Sequence, residues 1–86
     1  MRVTLYHSPG CHLCDQAREV LLGIRGDQPF ELEEVDITGD AELEARYREL
    51  LPVVELEGGR SFSYFVPEDA FRRALAAQSP GSEPTL

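Results

Sequence analysis

The fold of this chain is decided by residues 5–17, whose sequence is LYHSPGCHLCDQA. The stretch begins in a β-prone run that includes Val3 and Leu5, and it then passes through a turn made by residues 8–10, Ser-Pro-Gly. Beyond the turn, apolar residues recur at helical spacing, namely Leu13, Ala17, Val20, Leu21 and Ile24. The sequence therefore predicts a strand, a tight turn and an amphipathic helix, with two cysteines where the helix begins.

Cys11 and Cys14 are the two cysteines of the chain. At a helix start the backbone N–H groups lack intrahelical partners and the helix dipole is positive, so an anionic thiolate at Cys11 is favoured. Cys14 lies one turn further along, within reach of a mixed disulfide formed on Cys11. The spacing therefore predicts a catalytic pair in which Cys11 is the nucleophile and Cys14 is the resolving thiol.

Other interpretations of the two cysteines stay open at this point. One interpretation is that they are thiols without a function. Another is that they bind a metal ion, since His7, Cys11, His12 and Cys14 lie within eight positions of the sequence. No second Cys or His pair follows elsewhere, so we predict no metal ligands, although an iron–sulfur cluster shared by two chains is a related alternative. A c-type haem is excluded because the residue after Cys14 is Asp15 and not His.

The rest of the chain alternates between strand and helix patterns. Residues 30–37 are strand-like, with apolar positions that change phase between Leu32 and Val35, which indicates a bulge or a strand buried on both faces. A second helical stripe runs to Leu51 and stops at Pro52, Gly58-Gly59 marks a hairpin within residues 53–65, and a last helix opens at Pro67. The order β-α-β-α-β-β-α predicts an α/β fold with a four-stranded mixed sheet flanked by helices.

Length and charge limit the classes of function. The 86 residues suffice for one domain, which we place at residues 1–78, followed by a disordered Pro/Gly-rich tail at residues 79–86. Sixteen acidic and eight basic residues give a net charge of −8, which argues against nucleic acid or an anionic membrane as partner. All eight basic residues are Arg, so chemistry that requires Lys is excluded.

Localisation is predicted from what the sequence does not contain. No apolar run approaches the ~18 residues of a membrane-spanning helix, and the first residues lack the apolar core of a signal peptide. We therefore expect a cytoplasmic protein, and at this size we expect a monomer.

Residues 5–17 resemble the active-site segment of glutaredoxins, within the thioredoxin-fold superfamily. More narrowly, the run Gly-Cys-His-Leu-Cys at residues 10–14 is similar to that of short bacterial glutaredoxin-like proteins, and the resemblance extends over residues 2–77. It implies a thioredoxin-like fold of the glutaredoxin type and thiol–disulfide oxidoreductase activity on a disulfide-bearing protein or a small thiol. The alternatives are a redox-sensing or adaptor module without turnover, and the carriage of a metal or an iron–sulfur cluster.

The resemblance also implies substrate-binding residues. It implies that the Leu51–Pro52 peptide is cis, a form that costs little at an X–Pro bond, and that the Leu51 backbone pairs with the substrate. Tyr6 is placed near the site on the same pattern, and Tyr64, together with Phe65, is placed as an apolar wall beside it. The predicted substrate-binding residues are therefore Tyr6, Leu51, Pro52 and Tyr64.

The co-substrate is less well defined by the resemblance. Many glutaredoxins carry a Lys where this chain has Ser8, and a Gly-Gly-Ser/Thr-Asp turn where it has residues 64–69. Both elements hold glutathione in those proteins. Arg46 and Arg48 are the candidate substitutes for the missing cation. No resident cofactor is predicted, and the reductant is left open between glutathione, a thioredoxin and a dedicated partner.

Overall fold

The computed structural model describes residues 1–78, so the predicted disordered tail, residues 79–86, lies outside the described residues. The strands are β1 (Arg2–His7), β2 (Glu31–Asp36), β3 (Val53–Leu56) and β4 (Ser61–Ser63). The helices are α1 (His12–Asp27), α2 (Ala41–Tyr47) and α3 (Glu68–Gln78), with a short 3₁₀ turn at Arg48–Leu50. This is the predicted element order, and it makes the α/β, thioredoxin-like fold that the resemblance implied. Within residues 1–78, no helix is both long enough and apolar enough to cross a membrane.

The sheet brings the ends of three strands to one edge. Its strand order is β2-β1-β3-β4, with β1 parallel to β2 and antiparallel to β3. His7 is level with Asp36 of β2, and Tyr6 is level with Val53 of β3. The turn that follows His7 and the proline that precedes Val53 therefore meet at the same edge of the sheet.

The larger core lies on the face of the sheet that α1 and α3 cover. Val3 and Leu5 point to this face, because alternate residues of a strand share a face, and both are almost fully buried. The other buried members of this cluster are Ala17, Leu21, Ile24, Phe30, Val54, Leu56, Val66, Phe71, Ala74 and Leu75. The apolar stripe that predicted α1 therefore packs on the sheet from Ala17 to Ile24, whereas Leu13, its first residue, is exposed.

A smaller core lies on the opposite face, beneath α2. It consists of Ile37, Tyr47 and Val53, with Tyr6 and Leu43 among the partly buried residues packed against it. Tyr6 belongs to this face because it lies one residue after Leu5 on β1. Helices therefore cover both faces of the sheet, as predicted.

Both predicted possibilities for the second strand are wrong, because β2 has no bulge and most of its residues are exposed. Residues of β2 pair with β1 in continuous register from Glu31 to Asp36, so there is no bulge. Leu32 packs against the larger core and Val35 lies on the opposite face, each half-buried. The change of phase therefore marks an edge strand that contributes one apolar residue to each face.

The second helix ends earlier than its apolar stripe suggests. The α-helix stops at Tyr47, and Arg48–Leu50 form a 3₁₀ turn before Leu51 becomes extended at φ −59° and ψ 143°. A residue that precedes proline is disfavoured in helical conformation, so the chain must leave the helix before Pro52. As a result, Leu50 is exposed instead of joining the core.

Candidate active site

Cys11 occupies the N-cap position of α1. Its backbone is extended at φ −90° and ψ 103°, and its sulfur accepts a hydrogen bond from the backbone N–H of Cys14 at 3.1 Å. Gly10, immediately before it, has φ +79°, a left-handed conformation that glycine adopts at little steric cost. The Pro-Gly turn thus delivers the Cys11 sulfur to the N–H groups at the start of the helix.

Cys11 and Cys14 are joined as a disulfide, with their Cα atoms 5.2 Å apart. Cys14 is 3% exposed and belongs to the buried residues, whereas Cys11 is partly exposed. An attacking sulfur must reach its substrate, and a resolving sulfur must reach only its neighbour. The difference in exposure therefore favours the predicted roles of nucleophile for Cys11 and resolving thiol for Cys14.

The Leu51–Pro52 peptide is cis, as the resemblance implied. Pro52 is buried, and its carbonyl oxygen accepts a hydrogen bond from the backbone N–H of Tyr64 at 2.9 Å. The Leu50 carbonyl is a second acceptor for the same N–H, at 3.2 Å. Residues 50–52 and the segment after β4 are therefore held together at the edge of the sheet from which the Cys11 turn leaves.

Tyr64 and Phe65 lie beside α1, at an apolar groove of about 90 Å³. Tyr64 and Phe65 are 51% and 63% exposed, and Leu13, which lies between the two cysteines in sequence, is 49% exposed. Tyr64 has φ +73°, a left-handed conformation that is uncommon for a residue with a side chain. The groove is lined by Leu13, Gln16, Ala17, Val20, Tyr64, Phe65 and Val66. Neither the position of Gln16 at this groove nor the left-handed backbone of Tyr64 was predicted from the sequence.

A larger cleft of about 520 Å³ lies on the other side of the Cys11 turn. Its lining consists of Ser8, Pro9, Ile37, Thr38, Glu44, Arg48 and Leu51. Arg48 and Leu51 are among the residues that the sequence predicted for the site, whereas Thr38 and Glu44 were not predicted. Arg46, the other candidate cation, has its guanidinium carbon 5.9 Å from the centre of the Tyr47 ring. Of the two arginines, Arg48 therefore lines this cleft beside the cysteine turn.

Asp36 lies at the same edge, at the end of β2. Its carboxylate accepts a hydrogen bond from the Thr38 backbone N–H at 2.8 Å. That bond, with a smaller contribution from the charge of His7, holds the pKa of Asp36 below its usual value. His7 and Asp36 are level with each other in the sheet, so the edge next to the cysteine turn carries an anionic Asp36.

Tyr6 belongs to the smaller core beneath α2. Its ring stacks on that of Tyr47, with centroids 4.2 Å apart and planes inclined by 20°. The Tyr47 hydroxyl donates a hydrogen bond to a carboxylate oxygen of Glu55 at 2.8 Å. Burial, then the charge of Glu55 and contact with Tyr47, raise the pKa of Tyr6 to about 12. A role for Tyr6 in substrate binding stays a prediction.

Stability should fall in alkali through the titration of Tyr6. The unfolded chain loses this proton near pH 10, whereas the folded chain holds it to about pH 12. Because the folded state then binds more protons, the free energy of unfolding decreases as pH rises through this window. We expect urea midpoints to decline more steeply between pH 10 and pH 12 for the wild type than for Tyr6→Phe. Equal slopes for the two proteins would contradict this prediction.

Metal binding was one alternative for the cysteine pair. Within residues 1–78, no three side chains among His, Cys, Asp and Glu lie close enough to hold a metal ion together.

A family model described as a glutaredoxin-like domain (DUF836) matches residues 2–76. Uncharacterised proteins of Mycobacterium tuberculosis and Mycobacterium bovis are each 33% identical to the chain over 89 aligned residues, which cover 96% of this chain and 91% of the relative. These comparisons extend over nearly the whole length of the chain, including both cysteines.

Solved structures agree with the family match. A structural-genomics target protein from X. campestris has a TM-score of 0.76 at 35% identity, covering 90% of this chain and 99% of that one. Protein Ne2328 from Nitrosomonas europaea has a TM-score of 0.73 at 27% identity, covering 85% and 88%. Thioredoxin 1 from Thermosipho africanus has a TM-score of 0.65 at 14% identity, covering 90% and 97%, which supports the fold alone.

Proposed function

Because the chain belongs to the glutaredoxin-like domain family, we propose that it is a thiol–disulfide oxidoreductase that works through Cys11 and Cys14. The observation that carries this proposal is the position of the pair. The partly exposed Cys11 sulfur lies at the start of α1, and the buried Cys14 is close enough to form a disulfide with it. A thiol that attacks and a thiol that resolves are the two parts that disulfide reduction requires.

The reaction begins with both cysteines reduced. The Cys11 thiolate attacks one sulfur of the substrate disulfide, whose S–S bond breaks, and the other substrate sulfur leaves and takes up a proton. A mixed disulfide now joins Cys11 to the substrate. The Cys14 thiol then loses its proton and attacks the Cys11 sulfur, which releases the second substrate thiolate to be protonated. The substrate has gained two electrons, and the protein holds the Cys11–Cys14 disulfide.

The surroundings of Cys11 support the first step. A thiolate is stabilised by N–H groups that point toward it and by the positive end of a helix. The Cys14 N–H already points at the Cys11 sulfur, and α1 is 16 residues long. Asp15 in the first turn of the helix opposes the stabilisation of the thiolate with its negative charge.

The substrate that we propose is a disulfide-bearing polypeptide. The chain acts as a monomer in the cytoplasm, where other thiol systems can reduce its disulfide again.

Glutathione is one candidate for the reductant that regenerates the dithiol from the Cys11–Cys14 disulfide. One observation favours it, because Arg48 lines the 520 Å³ cleft with Ser8 and Thr38, directly beside the Cys11 turn. A guanidinium there offers a carboxylate of the tripeptide an ionic partner. Glu44 lines the same cleft, and one of its carboxylate oxygens accepts the Gly39 N–H at 2.8 Å. The net charge of −8 acts against a tight complex with an anion.

The proposal is tested by turnover with two regeneration systems. The purified protein is given hydroxyethyl disulfide or insulin, with glutathione and glutathione reductase in one arm and thioredoxin and thioredoxin reductase in the other. NADPH consumption is measured in both arms, and we expect continuous turnover in at least one of them. A single oxidation of each chain without turnover in either arm would instead favour a redox-sensing module. Metal that copurifies under anaerobic conditions, with thiols that do not react until it is removed, would favour metal carriage.

A further inference from the structure

We propose that the groove between α1 and the segment after β4 selects the polypeptide on which the cysteine pair acts. The preferred segment carries an aromatic or aliphatic side chain and a Lys or Arg close to its disulfide cysteine. This inference rests on the proposed function, because it names the substrate class of the same cysteine pair. We call the exposed side chains of Leu13, Tyr64 and Phe65 the apolar patch.

The apolar patch contains most of the large hydrophobic side chains that are exposed among residues 1–78. Among residues 1–78, four large hydrophobic side chains are exposed, and three of them, Leu13, Tyr64 and Phe65, meet at this groove. Single exposed apolar residues are normal on a protein surface, whereas a cluster of them marks a binding site. Phe65, at 63% exposure, contributes little to the core.

The segment that carries the apolar patch is held in place by the backbone. The Tyr64 N–H is bound by the carbonyls of Pro52 and Leu50, and the Phe65 N–H by that of Ser63 at 2.9 Å. Tyr64 has φ +73°, in a region that is unfavourable for a residue with a side chain. Its side chain is half exposed and offsets little of that cost through packing. A preorganised apolar surface loses less entropy when a partner binds. The fixed conformation of Tyr64 would therefore favour binding at the apolar patch.

The patch lies within reach of the reacting sulfur. Leu13 is two residues after Cys11 in the first turn of α1. The Tyr64 N–H donates a hydrogen bond to the Pro52 carbonyl, at the sheet edge from which the Cys11 turn leaves. A substrate cysteine that reaches Cys11 therefore carries its neighbouring residues over the groove, since an extended chain advances about 3.3 Å per residue.

The size of the groove indicates what binds in it. Its volume of about 90 Å³ is well below the ~300–1,000 Å³ of pockets that enclose small molecules. It has room for one apolar side chain of a polypeptide, with the rest of the segment lying across the surface. A small disulfide without such a side chain gains nothing from it.

Charge around the patch indicates the neighbours of that side chain. On α1 the exposed residues Asp15 and Glu19 flank Gln16, and Asp69 follows the groove residue Val66 by three positions. None of these three carboxylates takes part in an ion pair within residues 1–78. Glu68 pairs with Arg72, and Arg18 pairs with Glu34, so these two arginines are held by other carboxylates. An apolar groove whose lining residues have acidic neighbours in sequence complements an apolar residue flanked by Lys or Arg.

The test uses two synthetic peptides of equal length, each with one intramolecular disulfide. One peptide carries Phe and Lys beside a cysteine, and the other carries Ser and Glu at the same places. We expect wild-type kcat/KM to be roughly tenfold or more higher for the first peptide, the range that one apolar group in a pocket provides. In Leu13→Ser and Phe65→Ser this ratio should fall toward one, mainly through a higher KM.

Leu50→Ser is the matched control, since it removes the exposed large hydrophobic side chain that lies outside the patch among residues 1–78. It should keep the wild-type ratio between the two peptides. Equal kcat/KM for the two peptides in a wild-type protein that turns over hydroxyethyl disulfide would overturn this inference and leave the proposed function intact. No turnover of hydroxyethyl disulfide or of either peptide would overturn both. A wild-type dimer that Phe65→Ser converts to a monomer would assign the patch to a second copy of the chain and overturn the inference.

Discussion

Cys11→Ser will lose disulfide reduction by several orders of magnitude, whereas Cys14→Ser, without an added small thiol, will stop after the first half of the reaction. Serine keeps the size and the hydrogen-bonding position of Cys11 at the start of α1, but its hydroxyl is not a nucleophile toward sulfur under these conditions. In Cys14→Ser, Cys11 still attacks, and in the absence of glutathione or another small thiol the mixed disulfide accumulates because no thiol is present to resolve it. Turnover is measured by NADPH consumption, and the trapped adduct is measured by mass spectrometry.

The two variants control for each other, because each removes one sulfur. Cys14 is 3% exposed, so Cys14→Ser places a hydroxyl in a buried position, and its melting temperature must be compared with that of the wild type. Cys11 is partly exposed, and Cys11→Ser should melt close to the reduced wild type. Retained turnover in Cys11→Ser, or an adduct that forms on Cys14 as fast as on Cys11, would contradict the assignment of roles.

Local patterns in the sequence were enough to predict the architecture. The turn at residues 8–10, the stripe from Leu13 to Ile24 and the Gly58-Gly59 hairpin each specify their structure through residues close in the chain. A parallel β1–β2 pair follows from the crossover helix, and the two strands are parallel in the structure. Placing Cys11 at a helix start needed no knowledge of the rest of the molecule, and the structure has it at the N-cap.

Local patterns did not predict the features that depend on contacts between residues far apart in the sequence. Leu50 continues the apolar stripe of α2, yet it is exposed. Leu51 must be extended before Pro52, so the α-helix ends before it reaches Leu50. Tyr64 is left-handed because its N–H is bound by carbonyls twelve and fourteen residues earlier, at Pro52 and Leu50. The groove beside α1 and the cleft beside Arg48 each join elements that are separate in sequence. A single sequence shows which residues are available for such sites, but not which of them meet.

The core that supports α1 depends on one aromatic side chain of α3. Phe71 is fully buried, and its ring centre lies 5.9 Å from those of both Phe30 and Phe62. The contact with Phe30 is close to edge-to-face, an arrangement that aromatic pairs prefer. Phe71 therefore links α3 to the residue that precedes β2 and to β4 at the same time. Within residues 68–77 of α3, no other side chain is as large and as completely buried.

Phe71→Ala will lower the free energy of unfolding by about 3–5 kcal/mol, the usual cost of an aromatic-to-alanine change in a core, because it leaves a cavity as well as losing buried surface. Native proteins have a free energy of unfolding of about 5–15 kcal/mol in total, so this one substitution removes a large fraction of the stability. Urea denaturation followed by circular dichroism measures the change.

Phe65→Ala is the matched control, since the same atoms are removed from a side chain that is 63% exposed, and its urea midpoint should stay within experimental error of the wild type. Phe71→Leu, which keeps most of the buried volume, should lie between them. Equal destabilisation at positions 65 and 71 would mean that α3 does not pack on the sheet as described, and the support that it gives to α1 and the cysteine pair would have to come from elsewhere.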